Sequence, residues 1–181
     1  MFSSFSRFPI RAFPLLLLLT LTLASGCKKE DTSAADKAKI DAQKQTDDNA
    51  IRAYIAAQNL IATPTASGLY YVVETPAPAG APAPVSGQRV TVNYRGKLLN
   101  GTADGTQFDS SYPTSRPFAF TLDGSDYPQP ITGWTECVKL MHKGERGRLI
   151  IPSYLGYGPG GSGAVPPNAV LIFYMALDNI Q

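Results

Sequence analysis

Alternating apolar and polar positions predict β-strands in the second half of the chain. Val90, Val92 and Tyr94 point to one face of an extended segment, and the polar residues between them point to the other. Segments rich in branched and aromatic residues predict further strands at residues 69–73, 118–122, 146–151 and 169–177. Pro152 ends the third of these, because proline lacks the amide that a strand needs.

A helical repeat lies between two of these strands. Ile131, Trp134, Val138 and Met141 recur at spacings of three and four, which predicts a helix over residues 131–141. Many strands with one well-marked helix predict an α+β fold, an antiparallel sheet wrapped around one short helix.

The segment before the first strand is less regular. Residues 28–48 are polar and charged, which predicts a flexible tether. Apolar residues near helical spacing predict one short helix at residues 47–60, and we expect Asp47 and Asp48 to cap its first amides. Four prolines in residues 75–85 predict a stiff, exposed loop.

The N-terminus has the features of a secretory signal. Arg7 and Arg11 are its only charges, and the leucine-rich run at residues 15–23 is too short to span a bilayer. The sequence that follows, Leu23-Ala24-Ser25-Gly26-Cys27, resembles the lipobox of bacterial lipoproteins. That resemblance implies cleavage before Cys27 and lipid attachment to its thiol, and the alternative is an ordinary secretory signal with an incidental cysteine.

Cleavage before Cys27 would change the charge of the protein. The whole chain has a net charge of +2, whereas the 155 residues that remain have 14 basic and 14 acidic residues. Residues 28–31 resemble the charged export signals of some surface lipoproteins and are equally compatible with a solvated tether. The expected location is the bacterial cell envelope, either facing the periplasm or on the surface of the outer membrane.

Composition excludes several classes of function. The small net charge argues against nucleic acid as a partner. One histidine and two cysteines leave no metal site to expect, and no glycine-rich phosphate loop leads to a lysine. We expect no cofactor, a buried and inert Cys137, and an exposed His142. Ser110 and Ser111 lack the companions of a catalytic triad.

Several short motifs point instead to one family. They are Tyr94-Arg95-Gly96, Gly105 to Ser111, Arg116 to Phe120, Ile131 to Trp134, Lys143 to Arg146, Ile151 to Gly158, Val165 to Ala169 and Leu171 to Phe173. In this order, over residues 67–181, they resemble the FKBP-type peptidyl-prolyl cis/trans isomerases. The resemblance implies an FKBP-like fold and proline-containing polypeptides as substrates.

The resemblance also implies an apolar pocket for the prolyl ring. Trp134 would form its floor, and Ile131 and Val165 its rim. The remaining aromatic residues of the pocket would be Tyr94, Phe108, Phe118 and Phe173.

Three residues would act on the substrate or orient the site. The Tyr157 hydroxyl and the Ile131 amide would donate hydrogen bonds to substrate carbonyls, and Asp109 would be a buried polar residue that orients the site. Thr114 stands where many family members have an arginine that pairs with this carboxylate, so we expect Tyr94 to be the partner of Asp109. The segment between the first and second motifs is also about four residues longer than in the smallest members.

These features predict a lipid-anchored, monomeric prolyl isomerase that assists folding in the envelope. The expected organisation is a signal peptide at 1–26, a lipidated tether with a short helix at 27–66, and the isomerase domain at 67–181. Two alternatives remain: a module that binds proline segments without turnover, and a structural lipoprotein whose pocket is unused.

Overall fold

The computed structural model describes residues 32–112, 116–125 and 129–181. The signal sequence, the expected lipidation site Cys27 and Thr114 lie outside these residues. The helices and strands of the described residues are α1 Thr32–Ala57, β1 Thr63–Pro64, β2 Tyr70–Thr75, β3 Arg89–Asn100, β4 Ala103–Ser110, β5 Phe118–Thr121, α2 Thr132–Val138, β6 Arg146–Ile151 and β7 Leu171–Ile180.

The strands form one antiparallel sheet. Six of them lie in the order β1-β2-β6-β7-β3-β4, and β5 pairs with β3 beside them. The longest pairing joins β3 to β7, with Gly96 opposite Phe173. The α+β fold and the antiparallel sheet expected from the sequence are confirmed.

The two helices pack against opposite faces of the sheet. Leu149 and Ile151 on β6 belong to the hydrophobic core that contains α2, whereas Ile150 between them belongs to a second core with α1. Successive residues of a strand point to opposite faces, so both faces of β6 are covered. This explains why residues 149–151 of β6 and 171–173 of β7 are apolar on both faces of the sheet.

Helix α1 corrects the expected tether. Residues 32–48 are helical, and α1 is 26 residues long, so the predicted short helix at 47–60 was wrong in its start and length. Polarity misled the prediction, because alanine, lysine and glutamine favour a helix without forming an apolar stripe. Pairs at a spacing of four, Lys37 with Asp41 and Arg52 with Asp48, add to the stability of the helix.

The predicted capping by Asp47 and Asp48 was also wrong, because both residues lie in the interior of α1. Asp48 accepts hydrogen bonds from Arg52 Nε and from the Tyr70 hydroxyl, at 2.7 Å and 2.8 Å. Asp47 is buried against the loop that begins at Ser153. Both carboxylates therefore attach the helix to the rest of the protein.

Two further differences concern elements that carry the pocket. Strand β4 was not predicted, because it lies at the edge of the sheet and lacks alternating burial. Helix α2 ends at Val138 rather than at Met141, since the amides of Leu140 and Met141 bond to carbonyls three residues earlier. Met141 is nevertheless fully buried in the core beneath the sheet.

Candidate functional site

A cavity of about 150 Å³ opens beside the N-terminal end of α2. Its walls come from β3, β4, β5, α2, β7 and two loops, which accounts for the wide spacing of its residues in the sequence. The lining residues are Tyr94, Asp109, Phe118, Gln129, Pro130, Ile131, Trp134, Tyr157 and Phe173. Seven of the nine expected site residues therefore lie together.

Trp134 and Phe173 are the two buried aromatic residues of the cavity, at 6% and 2% exposure. Trp134 lies in the first turn of α2. Gly133 lets the helix approach β6 closely, because a Cβ at this position would lie 2.7 Å from Ile151 Cγ2. Within the described residues, the buried indole Nε1 has no hydrogen-bond partner. The flat faces of the aromatic ring suit the floor of a prolyl pocket, and the indole N–H is a donor that no described residue uses.

Three aromatic rings surround the Trp134 indole edge to face. Their centroids lie 4.7 Å away for Tyr94, 5.0 Å for Phe173 and 5.6 Å for Phe118. Such edge-to-face contacts stabilise a pair beyond the burial of its area and fix the angle between the rings. The cavity is therefore held in shape by ring packing before any ligand enters.

Phe108 and Val165 support the cavity without lining it. The Phe108 ring packs edge to face on Phe173 and Tyr157, at centroid distances of 5.5 Å and 6.5 Å. Val165 is 5% exposed within the core, and its amide and carbonyl both bond to Ser162. Val165 thus packs in the core, and its expected rim position stays a prediction.

Gly96 explains how Phe108 and Phe173 come together. A Cβ at residue 96 would lie 2.6 Å from Phe173 Cε1 and 2.7 Å from Phe108 Cζ. Because real side chains do not approach this closely, the two rings can meet over β3 only where the side chain is a hydrogen.

Asp109 departs from its expected burial. The residue is exposed at the mouth of the cavity, and its Oδ2 accepts a hydrogen bond of 2.7 Å from the Tyr94 hydroxyl. Its Oδ1 accepts from the Ser110 amide at 2.8 Å. The expected partnership with Tyr94 is confirmed. Burial and the hydrogen bond to Asp109 raise the pKa of Tyr94, so this hydroxyl remains a donor throughout the physiological range.

Besides the indole Nε1, two further donors on cavity-lining residues have no acceptor within the described residues. Within the described parts of the chain, neither the Ile131 amide nor the Tyr157 hydroxyl donates a hydrogen bond to protein. Burial, together with the nearby Asp109 charge, raises the pKa of Tyr157 and keeps it protonated. Both donors are available to carbonyl groups of a bound peptide.

Gln129 and Pro130 also line the cavity, although sequence reasoning did not assign them to the site. The only hint in the sequence was their position directly before Ile131.

Within the described ranges, no cluster of three potential metal ligands occurs. Among the same residues, no helix combines the length and hydrophobicity needed to cross a bilayer.

Comparison with known proteins identifies the pocket's family. The model of the FKBP-type peptidyl-prolyl cis-trans isomerases matches residues 80–178, more than half of the chain. The chain belongs to this family. The matched range, residues 80–178, contains every residue that lines the cavity.

Individual FKBP-type relatives agree with this assignment. FkpA of Escherichia coli K12 is 36% identical over 130 residues, which are 72% of this chain and 44% of that protein. FkpA of Aeromonas hydrophila is 41% identical over 117 residues, 65% of this chain and 40% of that protein. The chain thus spans less than half the length of these two relatives.

Two solved structures resemble the fold. The crystal structure of Escherichia coli FkpA has a TM-score of 0.58 and 30% identity, covering 84% of this chain and 71% of that chain. A peptidyl-prolyl cis-trans isomerase of Pseudomonas syringae has a TM-score of 0.59 and 29% identity, covering 78% of this chain and 95% of that chain.

Proposed function

We propose that this protein accelerates cis/trans rotation about X-Pro bonds in folding polypeptides. The observation that carries the proposal is the cavity of about 150 Å³, in which edge-to-face rings enclose the Trp134 indole. A prolyl ring is apolar and fits such a cavity, and the X-Pro peptide bond before it rotates slowly without a catalyst. We assign Trp134, Tyr94, Phe118 and Phe173 to binding of that ring, with Phe108 and Val165 as support.

The chemistry requires neither a base nor a nucleophile. Amide resonance opposes rotation with a barrier of roughly 18–20 kcal/mol, although the trans form of an X-Pro bond is favoured by only about 0.5–1 kcal/mol. A twisted amide has lost resonance and much of its dipole. A dry apolar pocket therefore disfavours the planar ground state relative to the twisted transition state.

The donors on Ile131 and Tyr157 have complementary roles in this proposal. The Ile131 amide and the Tyr157 hydroxyl hold carbonyl oxygens of the substrate on either side of the rotating bond. Asp109 orients the Tyr94 ring from the mouth of the cavity. Each factor of ten in rate needs about 1.4 kcal/mol of preferential stabilisation, which a few oriented hydrogen bonds and ring packing can supply.

The test is a protease-free isomerisation assay of a proline tetrapeptide with the full chain. We expect Trp134→Ala to remove most of the rate enhancement, and Asp109→Val to reduce it less. Trp134→Phe is the matched control, since it keeps an aromatic floor. An unmutated protein that leaves the uncatalysed rate unchanged would overturn the enzyme assignment.

The same experiment separates a non-catalytic binding module from an enzyme. The chain has a single tryptophan, so its fluorescence reports directly on the pocket. A fluorescence change with peptide and no acceleration would support binding without turnover. If the peptide causes no fluorescence change and is not isomerised faster, the protein is a structural one whose pocket is unused.

We also propose that the protein is lipid-anchored in the bacterial envelope through Cys27, and is monomeric. Support comes from the basic start, the leucine-rich run at residues 15–23 and the lipobox-like sequence. The proposed boundaries are a signal peptide at 1–26, a lipidated segment at 27–66 that contains the whole of α1, and an isomerase domain at 67–181. Labelling with palmitate should require Cys27. If the protein is not labelled, the lipid anchor is rejected and the N-terminal segment is an ordinary secretory signal.

A further inference from the structure

A buried carboxylate joins α1 to the loop that carries Tyr157. Asp47 is 1% exposed, and its Oδ2 accepts hydrogen bonds from both the amide and the hydroxyl of Ser153, at 2.8 Å and 2.7 Å. Its Oδ1 accepts from Gln43 Nε2 at 2.7 Å. Ser153 is equally buried, at 1% exposure. Residues 106 positions apart are thus joined by two charge-assisted hydrogen bonds out of contact with water.

The Ser153 amide needs such an acceptor from outside its own turn. It is the first amide of the 3₁₀ turn Ser153–Leu155, and Pro152 before it offers no side-chain cap. Amides at the start of a helical turn have no partner within the turn, and a buried unpaired amide is costly. Asp47 therefore caps this turn from a distant helix.

The capped turn leads directly into the site. The Gly156 amide bonds to the Ser153 carbonyl at 3.0 Å, and Tyr157 follows as the residue before the next turn, Gly158–Gly160. The Asn168 amide closes the loop by bonding to the Gly158 carbonyl at 2.9 Å. Only three residues separate the fixed position of Ser153 from the ring of Tyr157.

We propose that Asp47 is a positioning residue of the isomerase site, which sets the Tyr157 hydroxyl by fixing the turn at Ser153. This inference rests on the proposed function. Asp47 lies outside residues 80–178, so the part of the chain that matches the family model does not contain this support. The role of α1 is accordingly to complete the site as well as to cover the sheet.

Substitution of Asp47 in the full chain is the first test. We expect Asp47→Ala to lower kcat/KM for a proline tetrapeptide about tenfold, the effect of losing one well-aligned hydrogen bond. Asp47→Asn keeps an acceptor for Ser153 and should recover most of the activity. The matched control is Asp48→Ala on the same helix, which breaks contacts to Arg52 and Tyr70 but should leave kcat/KM unchanged.

A double-mutant cycle distinguishes positioning from general destabilisation. If Asp47 acts through Tyr157, Asp47→Ala should have no further effect on kcat/KM in a Tyr157→Phe background. Additive losses in kcat/KM would mean that Asp47 does not act through the Tyr157 hydroxyl, and would overturn the proposal.

Hydrogen exchange keeps the inference testable if the protein proves not to be an isomerase. Asp47→Ala should speed exchange of the amides at residues 153–158 while the sheet amides of β6 remain protected. If Asp47→Ala gives this exchange pattern but the unmutated protein does not accelerate peptide isomerisation, the proposed function is rejected and the positioning role stands. Unchanged exchange at residues 153–158 would reject the positioning role, whatever the activity.

Discussion

The Tyr94 hydroxyl donates a 2.7 Å hydrogen bond to Asp109 Oδ2, joining a wall of the aromatic cavity to a carboxylate at its mouth. Because Asp109 is exposed, water can replace this donor at small cost. The Tyr94 ring also packs 4.7 Å from Trp134, which does not depend on the hydroxyl. The hydrogen bond therefore orients the ring, and the ring contact maintains the wall.

Tyr94→Phe and Tyr94→Ala should separate these two contributions. A net hydrogen bond is worth about 0.5–1.5 kcal/mol, so Tyr94→Phe should lower kcat/KM between about two- and tenfold. Tyr94→Ala removes the wall and should lower it further. The measurement is peptide isomerisation kinetics, and equal losses in the two variants would show that the hydroxyl alone matters.

A proline at position 131 would remove the Ile131 amide while keeping the φ of that residue. Ile131 precedes α2 with φ −62°, the value that a proline ring imposes. We expect Ile131→Pro to lower kcat/KM about tenfold through loss of one donor to the substrate, with little change in thermal midpoint. Ile131→Ala, which shortens the side chain and keeps the amide, is the control. If both variants lose the same activity, the amide has no role.

Helix α1 offers a matched pair of isoleucines. Ile51 is fully buried in the core between α1 and the sheet, whereas Ile40 on the same helix is 54% exposed. Ile51→Ala should lower the free energy of unfolding by about 2–5 kcal/mol, and Ile40→Ala by less than about 0.5 kcal/mol. Urea denaturation measures both values. Similar small losses would indicate that α1 contributes little to the fold in solution.

Alkaline stability should depend on Tyr71. Burial and a hydrogen bond to Glu145 raise the pKa of Tyr71 far above its ordinary value. Its stabilising contribution is complete below about pH 10, where the unfolded chain also keeps the proton, and is lost as the pH rises further. The free energy of unfolding should therefore fall by about 1.4 kcal/mol per pH unit above pH 10 from this group alone.

Urea unfolding of the unmutated protein and Tyr71→Phe between pH 9 and pH 11.5 provides the comparison. The variant should begin less stable, because Glu145 loses a buried partner, but should show a shallower alkaline slope. An identical slope would mean that Tyr71 ionises in the folded protein as readily as in the unfolded chain.

The core of the fold could be predicted because its strands carry their own patterns. The bounds of β6 agree with the sequence prediction residue for residue, and alternation marked the first part of β3. Strand β4 could not be found in this way, since none of its side chains is fully buried and it has no apolar face. Its best local signal was Gly101, whose φ of 58° suits the first position of a two-residue hairpin turn.

The site was predicted less evenly than the fold. Aromatic residues of the cavity could be named through the resemblance, whereas the exposure of Asp109 and the inward position of Val165 depend on loop geometry. The link between Asp47 and Ser153 joins parts of the chain whose pairing no local pattern records. Polar side chains at long range have no period, so sequence reasoning had no means of finding it.

Nuclear magnetic resonance exchange spectroscopy of a proline peptide at equilibrium tests the central claim most directly. The uncatalysed bond exchanges over tens of seconds or longer, too slowly to give exchange peaks between its cis and trans signals. With a catalytic amount of the full chain we predict such peaks, and we predict that Trp134→Ala abolishes them while Trp134→Phe retains them in part. Absence of exchange peaks with the unmutated protein, or peaks unaffected by Trp134→Ala, would contradict the account.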